Sequence, residues 1–288
     1  MTPTSANTPT PSRSRASGRA PTGSTALREA ATFLGLVTFM VLTIALALPH
    51  AHIAPVITMP TPLVAVALIT FLRTPRGRRK ELWAGLGVRR LGLRSWPVAI
   101  VVPVILILVI PFGVADLLGS AAWSSSLDVW LSRSLPLLIT LVSLTIMGFT
   151  EEIGWRGYLL PRVQTMVSKR RAALVVGFIH GLFHMPLILL TTTYDSVGSR
   201  WIVAPSVMVL VTAAGVFYAW LKDRSGSVWP VAVAHGAVNT LLEGGGLVVI
   251  VSPVALAYTA GESGIATAVS VIALAAVLLI RGRTWGRN

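Results

Sequence analysis

Apolar runs of spanning length recur along this 288-residue chain, and they constrain its fold more than any other feature. A helix needs roughly 17–25 apolar residues to cross the hydrocarbon core of a bilayer. About eight such runs are present: Ala31–Leu48, Ala54–Leu72, Trp96–Leu118, Leu135–Thr150, Leu174–Leu190, Trp201–Leu221, Trp229–Val251 and Ile265–Ile280. A soluble domain typically carries about 25% charged residues, whereas this chain carries 12%. The expected fold class is therefore all-α, a polytopic transmembrane helix bundle of about eight helices.

The charges test that count. The net charge is +14, and a basic balance can mean nucleic acid. Here the basic residues instead sit in short segments between apolar runs, where topology signals lie. The expected partner is the lipid bilayer, with no nucleic acid. Arg13, Arg15, Arg19 and Arg28 precede the first run, and the segment 73–95 between the second and third is the longest basic stretch. Arg156, Arg162, Lys169, Arg170 and Arg171 lie between the fourth and fifth runs. Lys222 and Arg224 follow the sixth, and Arg281, Arg283 and Arg287 follow the eighth. If every helix crosses once, all the basic residues except Arg133 and Arg200 share one face. The positive-inside rule makes that face cytoplasmic, with both termini inside. Segment 73–95 reads first as a solvated topology determinant, and second as an amphipathic element on anionic lipid.

Residues 1–26 are rich in Ser, Thr, Pro, Gly and Arg and have too little apolar surface to fold, so a disordered cytoplasmic tail is expected. Cysteine is absent, which excludes disulfides, thiolate metal sites and a cysteine nucleophile. Arginine far outnumbers lysine (Lys80, Lys169 and Lys222) in an alanine-rich chain. That composition points to a GC-rich bacterial genome and hence a bacterial plasma membrane.

Ionisable side chains in or beside spanning segments are expensive, and so they mark candidate sites. Glu151 and Glu152 end the fourth run, and Arg156 stands four residues after Glu152, on the same helical face. Glu151 is rotated about 100° away. Glu152 is thus expected to pair with Arg156, leaving Glu151 free to act as a base. An ordinary charged helix end at the interface is the bland alternative. His180 and His184 also stand four apart and share a face. His235, Asn239 and Glu243 repeat that spacing on the seventh run. The Asn239 amide can donate two hydrogen bonds, which suits oxyanion stabilisation or interhelical contact. Glu243 reads as a structural partner before a third functional acid, and Gly244-Gly245-Gly246 should break the helix that carries it. His50 and His52 read as interfacial. No His-Glu-x-x-His, Gly-x-Ser-x-Gly or Walker pattern occurs.

Taken in order, these clusters resemble the CPBP family of CAAX-processing and bacteriocin-processing intramembrane endopeptidases, also called the ABI family or type II CAAX proteases. Glu151-Glu152-Ile153-Gly154-Trp155-Arg156-Gly157-Tyr158-Leu159 is similar to the family's first motif. His184 in Gly181-Leu182-Phe183-His184-Met185-Pro186 is similar to the second, and His235-Gly236-Ala237-Val238-Asn239 to the third. The resemblance covers Leu135 to Glu243. It departs at position 180, where the family's Phe-x-x-x-His carries a second histidine; a replaced packing aromatic is the favoured reading, an added ligand or proton carrier the other.

The resemblance implies a hydrolase that cuts a peptide or membrane-protein substrate near the cytoplasmic leaflet. Glu151 would activate water with help from His184, His235 and Asn239 would hold the oxyanion, and Glu152 with Arg156 would organise the site. It also implies a candidate Zn2+ site on Glu151, His184 and His235. A metal-bound water and a glutamate–histidine pair would use the same residues. The expected organisation is then a tail (1–26), N-terminal helices with a basic loop (27–134), a catalytic core (135–251) and a C-terminal helix with a short basic tail (252–288). Two other classes fit the residues: a non-catalytic bacteriocin-immunity or scaffold protein, and a proton-coupled transporter, for which the repeated halves are missing. The glutamates, nominally at a helix end, and His184, nominally near the midplane, share a site only if their helix ends inside the bundle beside a water-filled vestibule.

Overall fold

Helix-forming apolar runs dominate the computed structural model, which describes residues 23–192, 199–244, 249–281 and 285. Among the described residues nine helices follow in order. They are α1 (Gly23–Ala47), α2 (Ala54–Leu72, broken at Met59-Pro60), α3 (Arg76–Gly85), α4 (Leu93–Leu117), α5 (Leu127–Gln164), α6 (Lys169–Leu190), α7 (Arg200–Ser225), α8 (Trp229–Gly244) and α9 (Pro253–Ile280). Seven of them are long and apolar enough to cross a membrane, α3 and α8 being the exceptions. The chain is an all-helical integral membrane protein. Each of the eight expected runs has its main part in one of these helices, α3 being the addition.

Three boundaries differ from expectation. The helix α1 starts at Gly23, about two turns before the apolar run; residues 1–22 of the expected tail lie outside the described residues. The second correction is α8, which ends at Gly244, as a glycine run dictates. The β-branched Val249–Val251 leave the helix and pair antiparallel with Ala121–Trp123, Ala121 opposite Val251 and Trp123 opposite Val249. This two-stranded ribbon joins the segments after α4 and before α9. The third correction is the largest. The helix carrying the glutamates does not end at Thr150 but runs on to Gln164, turning through a π-helical stretch at Ile153–Leu159. Arg156 made this stretch look like a loop, yet its side chain is fully buried inside the bundle.

Capping sets the helix limits. Ser126 opens α5 by accepting the Val129 N–H. At the other end of α7, Gly226 adopts the left-handed conformation (φ 62°) that stops a helix, with Lys222 and Arg224 in the last turn. Small residues let the central helices touch. A Cβ on Gly177 of α6 would lie 2.6 Å from the Thr212 carbonyl oxygen of α7, and one on Gly236 of α8 would strike Thr145 of α5.

The basic segments gather at one end of the bundle. Arg162 after the π stretch donates to Glu29 of α1 (2.7 Å), and Arg170 of α6 to the Leu279 carbonyl of α9 (2.9 Å). Lys169 pairs with Asp223 at the end of α7 (2.8 Å), and Arg73 after α2 reaches Thr32 of α1 (3.1 Å). At the opposite end His50, after α1, meets Thr192, after α6 (2.9 Å). Arg156 is removed from the basic face that the loops define.

Candidate active site

The residues Glu151 to Leu160 are buried without interruption, and they present two carboxylates and a guanidinium to the centre of the bundle. Such groups are tolerated only when each finds partners. Glu152 Oε1 accepts from Arg156 Nη1 (2.9 Å), the pair that the four-residue spacing predicts, and from His235 Nδ1 of α8 (2.9 Å). Arg156 Nη1 also lies 3.0 Å from His180 Nδ1 of α6. The guanidinium is stacked over the Tyr218 ring of α7 (5.1 Å), and Tyr218 stacks in turn on His235 (5.5 Å, 18°). Space for the guanidinium comes from Gly215, where a Cβ would sit 3.0 Å from Arg156 Nη2. Gly148 plays the same part for His235, whose Cγ a Cβ would approach to 3.2 Å.

Glu151 points elsewhere, as its rotation on the helix requires. Its Oε2 lies 2.9 Å from His180 Nε2 and accepts the Trp155 indole N–H at 3.4 Å. Trp155 stacks on the His180 ring (5.0 Å, 29°) and meets Phe183 edge-on (5.4 Å). Among the described residues Glu151 Oε1 takes no hydrogen bond, and neither does His184, whose ring lies 5.4 Å from that of His180. His184 is partly exposed whereas Glu151 and His180 are buried.

The structure thus brings five of the six expected residues together: Glu151, Glu152, Arg156, His184 and His235. Asn239 stands one turn beyond His235, partly exposed, and no hydrogen bond ties it to the cluster among the described residues. Glu243 lies a further turn away and is exposed. His180, read first as a replaced aromatic, fills the aromatic slot against Trp155 and also bridges Arg156 and Glu151. Tyr218 carries no sequence signal at all; it is set only by the crossing of α7 with α8.

Depth, too, is resolved. Glu151 lies roughly 20 Å from the Gln164 end of α5, and His184 roughly 22 Å from the Lys169 end of α6, at 1.5 Å per residue. Both ends belong to the basic face, so the two side chains meet at one level. No helix terminus inside the bundle is needed.

The donors Glu151, His180 and His184 lie within 4.8 Å of one another and could hold a metal ion. Two imidazoles and a carboxylate are a donor set of open zinc sites. The expected third ligand, His235, is not in this group; its Nδ1 faces Glu152, and His180 is the close donor instead.

The motif-bearing region has relatives. Residues 133–241 match the family described as Type II CAAX prenyl endopeptidase Rce1-like. The protein named CAAX prenyl protease 2 from Methanococcus maripaludis is 32% identical over 92 residues, 31% of this chain and 31% of that protein. The matched region therefore spans about a third of that curated relative's length.

Proposed function

We propose, from the premise that this chain belongs through residues 133–241 to the Rce1-like type II CAAX prenyl endopeptidase family, that it hydrolyses a peptide bond of a membrane-held substrate inside its bundle. The observation that carries this reading is the division of Glu151. Two donors hold Oε2, Oε1 takes no hydrogen bond among the described residues, and a carboxylate oxygen of Glu151 lies within 4.8 Å of a ring nitrogen of His184.

A water between Glu151 Oε1 and His184 loses a proton to the carboxylate and attacks the substrate carbonyl. The carbonyl oxygen gains negative charge as the tetrahedral intermediate forms. His235 serves that oxygen as an imidazolium: it donates Nδ1–H to Glu152 and Nε2–H to the oxyanion, and Asn239 adds an amide N–H from the next turn. The proton on Glu151 then passes to the departing amine as the C–N bond breaks. Glu152 and Arg156 hold His235 and His180 in place. A divalent ion on the Glu151, His180 and His184 donors would add Lewis-acid polarisation of the same water. If α8 crosses along with the seven longer helices, 21 of the 24 basic residues (22 less the buried Arg156) share the basic end, which is therefore assigned to the cytoplasm with both chain termini.

The test is cleavage in proteoliposomes of a fluorogenic prenylated peptide, of the kind named for the relative, beside its unprenylated form. Glu151→Ala, His184→Ala and His235→Ala should each lower kcat by about 10²–10⁴-fold, with membrane insertion and helical circular dichroism unchanged. Full activity of Glu151→Ala defeats the assignment. Loss of cleavage on chelation, restored by Zn2+, would identify a metal-bound water.

A further inference from the structure

His180 occupies a position where the resembled family carries phenylalanine, and here it is bonded on both ring nitrogens. We propose that His180 is a positioning residue that donates Nε2–H to Glu151 and so selects which carboxylate oxygen meets the water, with Arg156 dictating its tautomer. The proposal rests on the reading of Glu151 as the base.

The donors and acceptors around the ring fix the tautomer. A guanidinium has five N–H donors and no acceptor. Arg156 Nη1 lies 3.0 Å from His180 Nδ1, so Nδ1 must accept. A ring that accepts at Nδ1 carries its proton on Nε2. That nitrogen lies 2.9 Å from Glu151 Oε2, which accepts it. The alternative tautomer would set an N–H against the Arg156 N–H and a lone pair against a carboxylate oxygen, wrong at both ends. The ring cannot turn aside: Trp155 stacks on it at 5.0 Å, Phe183 and His184 flank it, and its exposure is 1%.

Two consequences follow for the site. First, Oε2 of Glu151 receives both His180 and Trp155, so that oxygen is occupied and Oε1 is the one left for a water. A phenylalanine at position 180 would keep the stacking and lose this control. Second, a metal ligand needs a bare nitrogen, and a metal-binding imidazole usually donates its other N–H to a carboxylate or carbonyl. His180 has the reverse arrangement. The spacing of the three donors suits an ion, but the proton on His180 does not.

Nitrogen-15 magnetic resonance of histidine-labelled protein in lipid tests the tautomer directly. The His180 signals are assigned by their loss in His180→Phe. The expected result is a protonated Nε2 and a bare Nδ1, unchanged by added Zn2+. A protonated Nδ1, or a Zn2+-dependent shift of Nε2, overturns the proposal. The kinetic arm compares His180→Phe with His180→Gln, whose amide can still donate. His180→Phe should lower kcat about tenfold to a hundredfold with KM unchanged, the worth of one hydrogen bond to a charged group, and His180→Gln should recover part of the loss. Wild-type kcat in His180→Phe overturns the positioning role. If the wild-type protein cleaves nothing, the proposed function fails, and the resonance arm still decides the tautomer.

Discussion

The two halves of α5 are built on opposite terms. From Leu127 to Met147 no residue is buried, and Leu131, Leu135, Leu138, Ile139, Val142 and Ile146 all stand exposed on the surface. From Glu151 to Leu160 every residue is buried, and two glutamates and an arginine are among them. A soluble helix would place these sets the other way round. In a bilayer the surroundings are as apolar as leucine, so burial of leucine gains little. Polar groups move inward because only there do they find partners. Hydropathy and burial therefore separate along one helix, and the inner half is where the buried polar groups gather.

The sharpest way to break this contrast is Arg156→Ala. It leaves Glu152 buried with one donor fewer and Tyr218 without its cation, and should destabilise the protein by about 3–5 kcal/mol, read as a fall in the thermal midpoint in detergent. A stability near wild type would mean that His235 alone suffices to hold the Glu152 carboxylate in the inner half. A smaller effect is expected for Gly215→Ala, whose Cβ would lie 3.0 Å from Arg156 Nη2 and 2.6 Å from Gly177 Cα. Overpacking of this sort should cost about 1–3 kcal/mol, and cleavage should fall with it because the guanidinium is displaced. The smallest effect belongs to the outer half. Leu138→Ala and Ile139→Ala should each change stability by less than about 0.5 kcal/mol. A loss as large as that of Gly215→Ala would show that a partner covers this face.

Much of the fold was legible because the bilayer fixes how long an apolar run must be. The errors fell where that rule meets charge or glycine. Arg133 and Arg156 made both ends of α5 look like loops, yet the helix extends past each of them. Val249–Val251 looked like the end of α8 because the run stays apolar through the glycines, and it is a strand. In the site, the Glu152–Arg156 pair was legible because its spacing is local. The bonds of His180 were not, since Arg156 is 24 residues away and Glu151 is 29. Tyr218 depends on a helix crossing, which no local pattern encodes.

The π stretch at Ile153–Leu159 carries Trp155 and Arg156 of the site and leads on to the rim of the bundle. A π turn takes up one residue more than the α-helix on either side of it. Removing that residue would turn everything beyond it by roughly 100° relative to Glu151. The Arg162 clasp on Glu29 would swing away while Glu151 stayed where it is. In evolutionary terms, a single-residue insertion or deletion between Arg156 and Leu159 is a coarse rotary adjustment, able to re-aim the mouth of the bundle without turning Glu151, Glu152 or Arg156.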